Sequence, residues 1–138
     1  IINIHLNGTF TISKKVLKFM LKKRWGRIIN ITSASASIGN RGQSNYAAAK
    51  SGVEAFSKSL SKEVGSRGIT VNCLAPGYID TDMTNSISLE QKKEINKLIP
   101  LNRFGKPEEI AKMVSFLVSE DGSYITGQTI HINGGLYM

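Results

Sequence analysis

The stretch QSNYAAAKSG places a tyrosine and a lysine one helical turn apart, with only alanines between them. Tyr46 and Lys50 are four residues apart, so on a helix their side chains share one face. A free phenol, with an ordinary pKa of about 10, is a poor acid at neutral pH, and a permanent cation beside it favours its ionised form. The pair therefore predicts a proton donor whose acidity is set by a neighbouring ammonium group.

A serine stands at the end of the strand predicted before this helix. The segment RIINITS is short, β-branched and apolar on both faces, which is typical of a strand covered on both sides. Because ligands collect at the carboxyl ends of strands in open α/β sheets, Ser33 is expected near the phenol, where its hydroxyl can bind a substrate carbonyl oxygen. The Tyr-x-x-x-Lys pattern alone often arises by chance. It becomes evidence for a site because a serine at the end of a strand precedes it.

The hydrophobic pattern predicts alternating helices and strands. Helices are predicted over residues 1–23, 44–66, 88–98 and 107–119, strands over 27–33, 69–75 and 129–133, and a loop over 34–42. This order indicates an α/β fold with a parallel sheet and right-handed crossovers. Three strands are few for such a sheet, so at least one strand is expected to keep an unpaired edge.

Composition and charge limit the possible functions. With 41% hydrophobic and 20% charged residues among 138, the chain has the composition of one folded globular domain. It contains no apolar run long enough to cross a bilayer and no signal peptide, which predicts a cytoplasmic location, or an organellar matrix if a targeting segment lies upstream. The net charge of +8 favours an acidic partner, while the few aromatics among the basic residues argue against nucleic acid.

Neither the cysteine nor the histidines indicate a metal or redox site. Cys73 lies alone in a hydrophobic run and is predicted to be a buried, inert thiol. His131 is predicted to pack within the last strand. With only two histidines and no cluster of carboxylates near them, no metal site is predicted.

A family resemblance is carried by three stretches, RIINITSASASIGNRGQSNYAAAKSGVEAFSKSLSKEV, GITVNCLAPGYIDTDMT and YITGQTIHINGG. Together they resemble the short-chain dehydrogenase/reductases, and among these the 3-oxoacyl-acyl-carrier-protein reductases of fatty-acid synthesis. The resemblance implies the C-terminal half of a Rossmann-type doubly wound parallel sheet, with three parallel strands and crossover helices. It implies a single partial domain over residues 1–138, with NADPH as the cofactor.

The resemblance also implies roles for individual residues. Ser33 would orient the substrate carbonyl, Tyr46 would protonate it, and Lys50 would favour the tyrosine's ionised form and hold the nicotinamide ribose hydroxyls. Contacts to the nicotinamide carboxamide are implied in the segment PGYIDT, at Pro76, Gly77, Ile79 and Thr81.

The sequence departs from the family pattern in two places. The family usually has an asparagine in the helix before the serine strand, where it supports a water relay to the lysine, and here HLNGTF puts His5 in that place. An imidazole can bind the same water but also titrates near neutral pH, so retention and loss of the relay both remain open. The family's Thr-Gly-x-x-x-Gly-x-Gly turn, which holds the cofactor phosphates, occurs nowhere, so the N-terminal dinucleotide-binding half is expected to be absent.

The same resemblance implies a binding role for two of the basic residues. Acyl carrier proteins are strongly acidic, and Arg24 and Arg67 match the positions beside the active-site entrance that receive them. The helices predicted over 1–23 and 44–66 resemble those that pair subunits into tetramers in this family. A homotetramer that binds acyl carrier protein, and neither membrane nor nucleic acid, is expected.

The leading hypothesis is NADPH-dependent reduction of a 3-oxoacyl thioester to the 3-hydroxyacyl form, with tyrosine as the proton donor. Whether this chain is itself an enzyme stays open, because it lacks the glycine-rich turn. One alternative is a truncated, inactive remnant that only self-associates or binds a partner. Others are a short-chain reductase for a different carbonyl substrate and, as a minor possibility, a basic surface that binds nucleic acid.

Overall fold

A computed structural model describes all residues from 1 to 138. The helices are α1 (Gly8–Lys23), α2 (Ser35–Ile38), α3 (Ser44–Val64), α4 (Asp82–Asn85), α5 (Leu89–Leu98) and α6 (Pro107–Val118). The strands are β1 (Gly26–Ile31), β2 (Ile69–Pro76) and β3 (Thr129–Ile132). Short 3₁₀ turns follow α3 at Gly65–Arg67 and α6 at Glu120–Gly122. No helix of this chain combines the length and apolar character needed to span a membrane.

The predicted α/β fold with a parallel sheet is confirmed. The sheet has the order β1-β2-β3, and both pairings are parallel, with Gly26 opposite Ile69 and Cys73 opposite Thr129. Because β2 lies in the centre, β1 and β3 each keep one unpaired edge, as the small number of strands predicted. Residues from Ile69 to Ala75 are all buried, which accounts for the continuous apolar run of this strand.

α1 and α3 pack against the sheet through an apolar stripe. On α3, the buried residues Ala49, Val53, Ser57, Leu60 and Val64 recur every three or four positions, as expected for one face of a helix. Leu60 and Val64 join three strand residues, Ile28, Ile69 and Val71, in one core cluster. Removing a Leu or Val side chain of this kind from water stabilises the fold by about 1.5–3 kcal/mol. α3 is thus held at a fixed distance from the carboxyl end of β1.

Two predicted boundaries are wrong near the serine. The strand predicted to end at Ser33 ends at Ile31, although Thr32 N–H and Ala34 N–H still donate to carbonyls of β2, at 2.7 and 2.9 Å. The predicted loop over 34–42 contains α2, a single helical turn. Small residues and serine allow the chain to curl immediately after its last bond to β2. Ser33 therefore lies between the sheet and a short helix.

The helix predicted over residues 1–23 begins differently from the expected form. Asn3–Asn7 form a π-helical turn, and regular α1 starts only at Gly8. The Thr9 hydroxyl donates to the His5 carbonyl at 2.6 Å, a contact one turn back that competes with the backbone bond and bends helices. The wider turn changes the direction in which His5 projects.

Candidate functional site

Lys50 and Tyr46 lie on one face of α3, above the carboxyl end of β1. Lys50 Nζ donates to the Ile31 carbonyl at 2.8 Å and lies 5.7 Å from the centroid of the Tyr46 ring. Since Ile31 is the last residue of β1, this bond joins the helix to the strand end. The ammonium group thus lies near the tyrosine ring one turn away, on the helix face expected from the i, i+4 spacing. The contribution of Ile31 could not be predicted, because its backbone carbonyl acts and its side chain gives no chemical signal.

Ser33 lies two residues beyond the carbonyl that binds Lys50. The Ser35 N–H donates to Ser33 Oγ at 3.2 Å, which occupies an acceptor position and leaves the Ser33 O–H available as a donor. The short helix α2 packs on α3, where the Ser51 hydroxyl donates to the Ala36 carbonyl at 3.0 Å. Ser33 is therefore held at the same edge of the sheet as the Tyr46–Lys50 pair.

His5 reaches this cluster from the π turn. Its imidazole stands edge-on to the Tyr46 ring, with ring centroids 5.7 Å apart and planes at 89°. Burial, and secondarily the Lys50 ammonium group, lowers the pKa of His5 below its ordinary value. His5 and Lys50 thus both lie against the Tyr46 ring, while Ser33 lies at the same edge of the sheet.

Burial also affects the lysine. It lowers the pKa of Lys50 below its ordinary value, with a smaller opposing effect from Cys73. The charged form is therefore disfavoured in the folded chain. This penalty is fully present at neutral pH, and it is relieved only as the pH rises through the folded-state pKa towards the unfolded one.

Replacing Lys50 with Met is expected to raise the stability of the chain at pH 7, because a partly desolvated charge is removed while the apolar stem remains. The lost bond to Ile31 costs little, since Ile31 is 47% exposed and water can reach its carbonyl. Urea unfolding monitored by circular dichroism measures the effect. Lys58→Met, an exposed position on the same helix, is the matched control. A lower urea midpoint for Lys50→Met than for the control would contradict this prediction.

The segment PGYIDT follows β2 at the same end of the sheet. Pro76 accepts the bond from Ala34 N–H, and Gly77 N–H donates to the Ile132 carbonyl at 3.0 Å. A Cβ atom at Gly77 would lie 2.7 Å from Asn133 Cβ, so the close approach of the two strand ends requires glycine. The backbone of Pro76–Gly77 is thus fixed beside Ser33.

Ile79 and Thr81 lie further along this segment. The Ile79 carbonyl accepts from the Thr84 hydroxyl at 3.1 Å, and Thr81 N–H donates to the same hydroxyl oxygen at 2.9 Å. Thr81 is exposed. The same hydroxyl lies closer to the Thr81 carbonyl, at 2.8 Å, so its single proton is not held by the Ile79 carbonyl alone. The side chain of the exposed Thr81 accepts from Thr84 N–H in the capping box of α4.

Arg24 and Arg67 lie close together, at the end of α3 opposite to Tyr46. Arg24 Nη2 donates to the Ser66 carbonyl at 3.2 Å, so the loops before β1 and β2 carry both arginines. These loops are at the amino ends of the strands. Tyr46 lies at the opposite end of the 21-residue α3, about 30 Å away along its axis. In a single copy of the chain the two arginines lie far from Tyr46, and their position beside an active-site entrance stays a prediction.

Two of the side chains predicted to be inert have the expected surroundings. Cys73 is buried in β2 and burial raises the pKa of its thiol, which disfavours the reactive thiolate. His131 lies in β3, where its ring packs against Tyr137 with centroids 4.8 Å apart. Both predictions of a structural role agree with these contacts.

Known proteins resemble this chain over its whole length. A family model described as enoyl-(acyl carrier protein) reductase matches residues 1–137. The 3-oxoacyl-[acyl-carrier-protein] reductase FabG of Pseudomonas aeruginosa is 54% identical over 138 residues, which are 100% of this chain and 56% of that protein. The proteins of the same name from Haemophilus influenzae and Escherichia coli are 55% and 54% identical, again over the whole chain and 57% of each relative. This chain therefore spans a little over half the length of the curated relatives it matches.

Proposed function

This chain belongs to the short-chain dehydrogenase/reductase family, and from that premise we propose that it supplies the catalytic groups of an NADPH-dependent 3-oxoacyl-acyl-carrier-protein reductase. The observation that carries the proposal is the position of Lys50, bonded to the end of β1 and next to the Tyr46 ring. The high identity to reductases of that name over the whole chain supports the substrate class. Residues 1–138 would form part of one Rossmann-type domain, in which the free edge of β1 can continue the sheet.

In the proposed reaction, Tyr46 and Ser33 both act on the oxygen of the substrate's 3-oxo group. The Ser33 O–H donates a hydrogen bond to that oxygen, and Tyr46 transfers its proton to it as negative charge develops there. Lys50 favours the ionised tyrosine that remains, because a nearby cation stabilises phenolate. NADPH, when bound, supplies the hydride for the carbonyl carbon.

The groups around Lys50 fit the ribose and nicotinamide end of a dinucleotide. An ammonium group has three donors, and one of them is used by Ile31, so two remain for hydroxyl groups. Tyr46 offers a further hydroxyl on the same face. Polar atoms of Pro76, Gly77, Ile79 and Thr81 would contact the carboxamide, and the exposed Thr81 side chain is the freest of them. Residues of the preceding part of the domain would hold the phosphates.

The activity can be tested in the complete polypeptide that contains this chain. We expect NADPH consumption at 340 nm with a 3-oxoacyl thioester and much less with a 2-enoyl thioester of equal length. The enoyl substrate is the relevant comparison because the matching family model carries that description. Preference for the enoyl substrate would replace the proposal with enoyl reduction, and faster use of another carbonyl compound would change the substrate class. Failure of folded material to bind NADPH by calorimetry would favour the inactive remnant.

The distance between the arginines and Tyr46 suggests how a carrier protein would dock. We propose that two copies pair in antiparallel fashion through α1 and α3, so that Arg24 and Arg67 of one copy lie near Tyr46 of the other. Apolar residues are strongly exposed in the single chain on α1, at Ile12 and Phe19, and on the π turn before it, at Ile4. Covering such residues would stabilise the pair. A homotetramer that contains this pair is the proposed assembly, with the acidic carrier protein bound across the two copies.

Replacing Arg67 with Glu is expected to weaken use of a carrier-bound 3-oxoacyl substrate about tenfold more than use of a short thioester analogue. A reversed charge at a docking surface reduces association with an acidic carrier protein. A short thioester analogue has no carrier protein, so its binding does not involve that surface. The measurement is kcat/KM for both substrates. Lys112→Glu makes the same change of charge on exposed α6 and serves as the control. Equal losses for the two substrates would remove Arg67 from the docking surface.

A further inference from the structure

His5 lies beside the proposed proton donor but has no part in the reaction described above. It is placed by the π turn Asn3–Asn7, which packs against α3. Its imidazole and the Tyr46 ring form an edge-to-face pair at 5.7 Å. π turns are rare and occur frequently at functional sites. The unusual start of the helix therefore has a direct result: it holds a titratable ring against the phenol.

The Tyr46 ring also has a cation beside it, the Lys50 ammonium group. Lys50 Nζ is 5.7 Å from the Tyr46 centroid, so the imidazole and the ammonium group both lie against one ring. The titratable groups around His5 are Tyr46 and Lys50 on α3, and Cys73 of β2 acts on Lys50. No carboxylate is among the groups that shift the pKa of His5. A positive charge on the imidazole would thus have no counter-ion in this cluster.

We infer that His5 is a positioning residue that makes the Tyr46–Lys50 pair dependent on pH, an inference that rests on the proposed reductase function. The neutral imidazole packs on the phenol and allows Lys50 to keep its bond to Ile31. The protonated imidazole brings a second positive charge into a partly buried cluster, and repulsion moves one of the two cations towards water. The arrangement of Tyr46 and Lys50 then changes, and proton transfer is impaired.

The sign of the pH effect follows from burial and from Lys50. Because both lower the pKa of His5 in the folded chain, the unfolded chain binds this proton first as the pH falls below about 6.5. Protonation therefore opposes the folded arrangement, and stability decreases through this pH range. An asparagine at position 5 does not titrate, so His5→Asn should remove this part of the decrease.

The pairing of His5 with Lys50 can be measured without cofactor or substrate. In the complete polypeptide, NMR titration of the imidazole carbon-bound protons follows both histidines of residues 1–138, with His131 as an internal reference. The signal of His5 is identified by its loss in His5→Asn, and that of His131 by its loss in His131→Asn. In Lys50→Met we expect the His5 titration midpoint to rise while that of His131 stays constant, and in the control Lys58→Met neither should move. An unchanged His5 midpoint, or equal shifts of both histidines, would overturn the inference.

A second measurement on the unmodified chain covers the case in which Lys50→Met does not fold. Concentrated salt screens the repulsion between His5 and Lys50, so 1 M NaCl should raise the His5 midpoint more than that of His131. Equal responses of the two histidines would count against the inference.

The effect on the reaction is read from a ratio of rates in the complete polypeptide. We expect kcat at pH 8 to exceed kcat at pH 5.5 by about tenfold, and this ratio to fall towards one in His5→Asn, whatever the absolute rate of the variant. The same ratio in both proteins would overturn the inference. If no turnover occurs while the NMR shifts appear as expected, the proposed function fails and the coupling of His5 to Lys50 stands.

Discussion

Tyr46→Phe is expected to reduce turnover of a 3-oxoacyl thioester by at least about a thousandfold, while the affinity for NADPH changes little. The substitution removes one hydroxyl and keeps the ring that His5 and Lys50 contact, so the cluster should retain its packing. Without the phenol, the carbonyl oxygen receives no proton from the chain, and loss of a positioned general acid commonly costs this much. The measurements are steady-state kcat and calorimetric titration with NADPH on the complete polypeptide.

Tyr124→Phe is the matched control for this prediction, because it removes a phenol hydroxyl from a fully exposed side chain on another part of the surface. It should leave both turnover and NADPH affinity close to their original values. Tyr46→Phe with near-normal turnover would show that another group donates the proton. Loss of NADPH affinity together with turnover would mean that Tyr46 serves mainly to bind the cofactor.

Asn72→Ala is expected to destabilise the chain by about 2–4 kcal/mol. Asn72 is completely buried in the central strand. Its Nδ2 donates to the Ile125 carbonyl at 2.8 Å, and its Oδ1 accepts from Gln128 N–H at 3.1 Å, which fixes the segment before β3. Alanine leaves both backbone groups without partners and also leaves a small cavity.

Chemical denaturation at pH 7 measures this loss, provided the transition is two-state. Asn85→Ala is the control, since Asn85 is exposed and contacts only Asp82 Oδ1 at 3.4 Å. The control should change the free energy of unfolding by less than about 0.5 kcal/mol. A loss for Asn72→Ala no larger than that of the control would show that water replaces both hydrogen bonds.

The sequence predicted the order of helices and strands because the apolar periodicities of α3 and β2 are strong. It could not predict the role of Asn72, since one polar residue within an apolar run does not reveal which backbone groups it meets. Those partners come from residues more than fifty positions later, and only the folded sheet brings them near. Long-range backbone bonds of this kind have no local sequence signal.

Around the site, the types and spacing of the residues predicted their chemistry better than they predicted the ends of elements or the distances between groups. The i, i+4 spacing of Tyr46 and Lys50 correctly gave their shared face, because helix geometry fixes it. The end of β1 was misplaced because β-branched residues continue to Thr32, although the last ladder residue is Ile31. The separation of Arg24 and Arg67 from Tyr46 within one copy could not be predicted, since family resemblance does not state whether two sites belong to the same copy of a chain. The length and direction of α3 show the separation.

The most direct test of the account follows a labelled hydrogen from cofactor to product. The complete polypeptide is incubated with NADPH that carries deuterium at the transferred position of C4, together with a 3-oxoacyl thioester, and the product is analysed by mass spectrometry. We predict one deuterium at C3 of a 3-hydroxyacyl product, and none when Tyr46 is replaced with Phe. Folded, NADPH-bound protein that yields no labelled product, or equal labelling by Tyr46→Phe, would contradict the account.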